Sequence, residues 1–143
     1  MSWWRHTYHL IWATWSRSPF LLPTLQPDLY AFLATKLLEN DCQPFAVNGM
    51  EDHVHVVLSI PPKIAVATVA KRIKGASSRY LNLKYPAAQG KFAWQEGYGS
   101  LTVGKSHRSF AVAYVEQQKE HHQRHSTNQW LEYAGESEES GDV

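Results

Sequence analysis

Gln43-Pro-Phe-Ala-Val-Asn-Gly-Met50, then Glu51-Asp52, then His53-Val-His-Val-Val-Leu-Ser-Ile60 is the stretch on which the fold turns. Two apolar, β-branched runs separated by a short polar break read as a β-hairpin. Side chains alternate along the second run, so His53, His55 and Val57 share one face and Val54, Val56 and Leu58 the other. Pro61-Pro62 ends it. Outward from the hairpin the period changes. Residues 64–84 set Val66, Val69, Ile73, Ala76, Ser77 and Tyr80 in one helical stripe, with Lys71, Arg72, Lys74 and Arg79 on the opposite arc. Upstream, residues 27–40 place Leu29, Phe32, Leu33 and Leu37 three and four apart, with Pro27 in the first turn. Before them, Tyr8 to Trp15 reads as a strand closed by Ser16-Arg-Ser-Pro19. Downstream, Phe92–Gln95 and Ser100–Val103 read as short strands around Gly97-Tyr-Gly99. One helix is expected from Ser106, as N-cap, to His125.

The order β-α-β-β-α-β(β)-α is that of an α+β, ferredoxin-like split βαβ fold. It implies an antiparallel sheet with helices on one face, the other face left available, and an appended C-terminal helix. A chain of 143 residues suits one domain, expected over residues 1–133. Residues 134–143 hold four acidic residues and no basic one, and are expected to be a disordered tail. Apolar residues at 43% and charged residues at 19% exclude a wholly disordered chain. The single cysteine, Cys42, cannot form an internal disulfide and reads as a buried small residue. No signal peptide and no membrane-spanning run is visible, so a soluble, cytoplasmic protein is expected.

Net charge is +1, yet from Lys63 to Gln95 there are seven basic residues and no acidic one. Clustering of that kind suits a phosphate backbone, which makes Lys71, Arg72, Lys74 and Arg79 candidate DNA contacts. Chemistry is offered by two other groups. His53 and His55, two apart on a strand, converge two imidazoles at the spacing one divalent metal requires, and Asp52 stands beside them as an orienting partner. Tyr114 and Gln118, four apart on a helix, point together, with His121 and His122 beyond them. A metal held by two imidazoles and an amide oxygen keeps positions open for a phosphate oxygen, and a tyrosine phenol beside it is a competent nucleophile. Two other readings stay open on these residues. One is a non-catalytic single-stranded nucleic-acid-binding module that stacks bases on Trp3, Trp4, Trp12, Trp15 and Tyr98. The other is a hydrolase that activates water at His53 and His55 and makes Tyr114 dispensable.

The motif His53-Val-His55 after Gly49-Met-Glu-Asp resembles the His-hydrophobe-His motif of the HUH nucleases. Lys74-Gly-Ala-Ser-Ser-Arg79, Phe92-Ala-Trp-Gln-Glu-Gly-Tyr-Gly99 and Tyr114-Val-Glu-Gln-Gln-Lys-Glu-His-His122 follow in the order seen in single-tyrosine transposases of bacterial insertion sequences, the IS-two-hundred-like and REP-associated enzymes. The similarity covers residues 5–130. It implies that His53, His55 and Gln118 bind a divalent metal, magnesium or manganese, and that Tyr114 is the nucleophile. It further implies metal-dependent cleavage and rejoining of single-stranded DNA with hairpin ends, through a covalent 5′-phosphotyrosine. Its last implication is a homodimer in which the C-terminal helix carries each tyrosine to the partner's His pair, and Gly97, Gly99 and Gly104 before that helix would permit such a crossing.

Overall fold

The computed structural model describes residues 4–86 and 91–135. The hairpin forms as read: β2 spans Gln43–Gly49 and β3 spans His53–Ser59. A Cβ on Gly49 would collide with the His53 carbonyl, so only glycine admits so tight a return. Strand β1 is Thr7–Ala13 and β4 is Gly99–Val103, and the sheet runs β2-β3-β1-β4 with every pair antiparallel. That is the split βαβ order expected.

β3 is buried on both sides because each face has its own cover. Val54, Val56 and Leu58 join Leu10 and Trp12 of β1 against helix α1, Gln26–Glu39, and helix α2, Val66–Lys84. These helices contribute Leu29, Leu33 and Leu37, then Val69, Ile73 and Leu81, the residues of their apolar stripes. The opposite face is not left available. Ala46 and Val57 on it pack against Ala111 and Val115 of helix α3, Arg108–Glu116. Cys42 is buried, as read.

Three expectations need correction. Phe92–Gln95 is not a strand: it makes one bridge, Thr14 to Trp94, because its rings turn into the α1/α2 core. There the Trp94 indole donates to Ser77 Oγ at 2.9 Å, and Asn82 holds the Phe92 backbone in both directions. Trp12 is 1% exposed and cannot stack bases. Trp3, with residues 136–143 of the expected tail, lies outside the described residues; Ala134, the expected first tail residue, is buried against Ile11 and Ala13. Finally, the C-terminal helix is not one piece. A 3-10 turn at Lys105–His107, with Gly104 rather than Ser106 at its N-cap, leads into α3. Gln117 then leaves helical geometry, and α4 resumes over Gln118–Gln123.

Candidate active site

Alternation on β3 aims His53 and His55 at the layer made by α3, α4 and a last short helix, α5, Gln129–Glu132. α3 brings in Tyr114 and α4 opens on Gln118, and both are buried. The break at Gln117 is held from β2: Asn48 Nδ2 donates to the Glu116 carbonyl at 3.1 Å, and the Lys119 ammonium donates to the Gly49 carbonyl at 3.1 Å. Docked this way, Gln118 Oε1 lies 3.2 Å from His53 Nε2, and the Tyr114 ring centroid lies 6.1 Å from that of His55. The four residues expected to carry chemistry therefore meet, and they meet within one chain.

At their centre is a residue that the sequence reading assigned no role, Glu132. Its Oε1 accepts from His55 Nε2 at 3.0 Å and lies 3.3 Å from His53 Nε2 and 3.4 Å from His122 Nε2. Its Oε2 accepts from the Tyr114 hydroxyl and from Gln118 Nε2, the latter at 3.0 Å. The Tyr114 oxygen also accepts from the Asn128 backbone N–H at 3.0 Å, and the His121 ring stacks on the phenol at 4.5 Å. Beneath His55 lies a second unassigned group: His9 Nε2 is 2.8 Å from His55 Nδ1, fully buried on β1. His53 Nδ1 meets Asp52 Oδ1 at 2.7 Å, the orienting contact expected of Asp52.

The electrostatics follow from burial opposed by carboxylates. Burial disfavours charge on His53, but hydrogen bonds to Asp52 and Glu132 outweigh it and hold its pKa up at about 9. His9 has no such partner; burial, then the neighbouring His55, pulls it down to about 3. Burial also lowers His55 and His122, against the pull of Glu132. Burial would raise Glu132, yet hydrogen bonds from His53 and His55 drive its pKa far below the usual carboxylate range. Tyr114 is pushed up to about 12, first by burial and then by its bond to Glu132. The ligand atoms of His53, His122 and Glu132 lie within 4.8 Å of one another, a donor set that fits a divalent ion. An open cavity of about 540 Å³, lined by Arg17, Asp52, His53, His122 and Glu132 among others, leads into it.

The basic cluster is not brought to this site. Lys71, Arg72 and Arg79 are exposed on α2, in the helical layer across the sheet. Lys74 does not share their free arc. Its ammonium turns in and donates to the Gln95 and Gly97 carbonyls at 2.8 and 2.7 Å, and burial lowers its pKa. A second cationic surface went unread: Arg5, Lys105 and Arg108 line a groove of about 540 Å³ with Trp4 and Phe45. Its residues are scattered through the sequence, so no local charge run marks it.

The model of the family described as IS200-like transposases matches residues 2–118. The chain belongs to that family. It is 32% identical to the ISDra2 transposase TnpA of Deinococcus radiodurans over 115 residues, covering 78% of this chain and 82% of the relative. A crystal structure of a Deinococcus radiodurans R1 protein assigned as a transposase superposes with a TM-score of 0.67 at 29% identity, over 82% of this chain and 95% of that one. The fold is also that of a REP-associated tyrosine transposase bound to a REP hairpin, with a TM-score of 0.60 at 17% identity, over 82% of this chain and 72% of that one. The protein is accordingly a DNA transposase, and the reading as a non-catalytic binding module is not favoured. Among the described residues no helix is long and apolar enough to cross a membrane.

Proposed function

We propose that this transposase cuts and rejoins single-stranded DNA in the cytoplasm through a covalent 5′-phosphotyrosine on Tyr114. His53, His55 and Gln118 hold a magnesium or manganese ion. One observation carries the reading: the Tyr114 hydroxyl and the three proposed ligands converge on a single point, the Glu132 carboxylate and the Gln118 amide beside it. The ion, when bound, acts as a Lewis acid on the scissile phosphate. Tyr114 supplies the nucleophile: its oxygen attacks phosphorus, the bond to the 3′ oxygen breaks, and the 5′ phosphate stays on the tyrosine. The Glu132 carboxylate orients the phenolic O–H, whose proton leaves to water, and a proton returns to the departing 3′ oxygen. The ester retains the energy of the broken bond, so a 3′ hydroxyl can reverse the step.

The preference for hairpin-ended DNA rests on the family and on the hairpin-bound structural neighbour. Lys71, Arg72 and Arg79 remain proposed phosphate contacts, and Lys74 serves to hold its loop. We also propose a homodimer. The resemblance implies tyrosines exchanged between subunits, whereas in this single chain Tyr114 already lies against its own His pair. The test is cleavage of a hairpin-ended oligonucleotide labelled on either side of the cut. Expected is one fragment with a free 3′ hydroxyl and one shifted by bound protein, only with divalent metal and only on single strands. Two free fragments would show instead the water-activating hydrolase.

A further inference from the structure

Glu132 is the point on which the site converges, and a metal centre built only from His53, His55 and Gln118 uses its Oε2, on the Tyr114 hydroxyl, but not its Oε1. Three imidazole nitrogens stand 3.0, 3.3 and 3.4 Å from its Oε1. His55 Nε2 is hydrogen-bonded to this oxygen, whereas His53 and His122 lie close to it and place their own Nε2 hydrogen bonds on Gln118 Oε1. Gln118 Oε1 is placed similarly, 3.2 Å from His53 Nε2 and 3.1 Å from His122 Nε2. Donors on a first-row divalent ion stand about 2.0–2.2 Å from it, which sets neighbouring donors about 3 Å apart. The spacings about these two oxygens match those between neighbouring donors on one ion, and the ligand atoms of His53, His122 and Glu132 all lie within 4.8 Å of one another. Glu132 is also built into place rather than trailing. Ala134 behind it packs on Ile11 and Ala13, and the Tyr133 backbone runs so close to Gly99 that a Cβ there would collide with the Tyr133 carbonyl.

We propose that Glu132 and His122 are ligands of the same ion as His53, His55 and Gln118. The resulting centre of three imidazoles, one carboxylate and one amide takes a nitrogen-accepting divalent ion such as manganese, cobalt or zinc in preference to magnesium. The inference rests on the metal-dependent reading above and extends it. Magnesium favours oxygen ligands and retains its waters, whereas imidazole suits the later ions. The carboxylate adds the negative charge that two neutral imidazoles and an amide lack. Ligation through Oε1 leaves Oε2 to hold the Tyr114 hydroxyl beside the ion.

The experiment titrates the full-length protein with cobalt(II), read by its visible absorption and by competition with a chromophoric chelator. One ion binds per chain and a hundredfold excess of magnesium does not displace it. Glu132→Gln, which removes the charge and keeps the size, weakens binding tenfold or more and shifts the absorption, and His122→Ala does likewise. Gly99→Ala touches no ligand but pushes the segment carrying Glu132 off the sheet, and it weakens binding in the same direction. If Glu132→Gln and His122→Ala bind cobalt as tightly as the parent or tighter, while His53→Ala loses it, the two added ligands are wrong and the metal-dependent function stands. In that case Glu132 only fills the space a substrate phosphate would take. If His53→Ala also binds as the parent does, the metal reading itself falls. Circular dichroism establishes that each variant is folded; should Glu132→Gln fail to fold, His122→Ala, whose side chain is 29% exposed, decides alone.

Discussion

Replacing His9 by leucine isolates a contact that no sequence motif marks. In the metal-free site His55 Nε2 donates to Glu132; once Nε2 faces a cation it must be unprotonated, so Nδ1 carries the hydrogen and donates to His9 Nε2, 2.8 Å away. With its pKa near 3, His9 is neutral at any working pH and free to accept. Leucine has similar volume and keeps the packing but removes the acceptor, which strands a buried N–H at a cost of about 1–3 kcal/mol. The His55 proton can then move to Nε2, the nitrogen that faces the site. Loss of such an outer partner lowers metal affinity about 10–100-fold, or roughly 1.4–2.7 kcal/mol. Urea unfolding measures the first quantity and manganese titration the second, with nitrogen-15 shifts of His55 reporting its tautomer. A folded variant whose metal affinity stays within about twofold of the parent would refute the reasoning.

Tyr114→Phe keeps the ring on His121 and costs only the bonds to Glu132 and Asn128, about 1–2 kcal/mol, while strand cleavage disappears and hairpin binding persists; a gel of labelled substrate and an anisotropy titration check both. Metal-free stability peaks near pH 6.5–7. The raised pKa of His53 contributes on the order of 3 kcal/mol that is present below 6.5 and lost as pH rises to about 9, whereas His9, His55 and His122, all lowered, withdraw stability as pH falls below 6.5; melting scans in chelator check the profile. Arg72→Ala with Arg79→Ala lowers both DNA affinity and the slope of log affinity against log salt, by about 0.7–0.9 for each phosphate left without its cation, while Lys74→Ala loosens its loop and leaves that slope unchanged; binding titrations across a salt series check both. Mixed dimers of Tyr114→Phe with His53→Ala regain cleavage only if tyrosine and His pair come from different subunits, and stay inactive if each site is built within one chain.

The hairpin, both long helices and the His pair were legible because each is written in a local period: two for β3, 3.6 for α1 and α2. The residues that complete the site have no such signature. His9 gains meaning only from the register that sets Ile11 opposite His55, and register is a tertiary fact. The break at Gln117 falls in a helix-favouring stretch and is imposed from outside by Asn48 and Lys119. Lys74 borders its helix's buried arc, and whether it faces solvent depended on a loop twenty residues away offering carbonyls. Glu132 stands beyond a run of polar residues from Gln123 to Gln129 with no periodicity, and only the folded chain returns it to His55.

The most direct test of this account is to trap the protein on a hairpin-ended single strand with manganese, digest it, and locate the nucleotide by mass spectrometry. The account predicts one cross-linked peptide, with the 5′ phosphate of the downstream strand esterified to the Tyr114 oxygen and a free 3′ hydroxyl on the other fragment. Cleavage at the parent rate with no nucleotide on Tyr114, or with the ester on another residue, would contradict it.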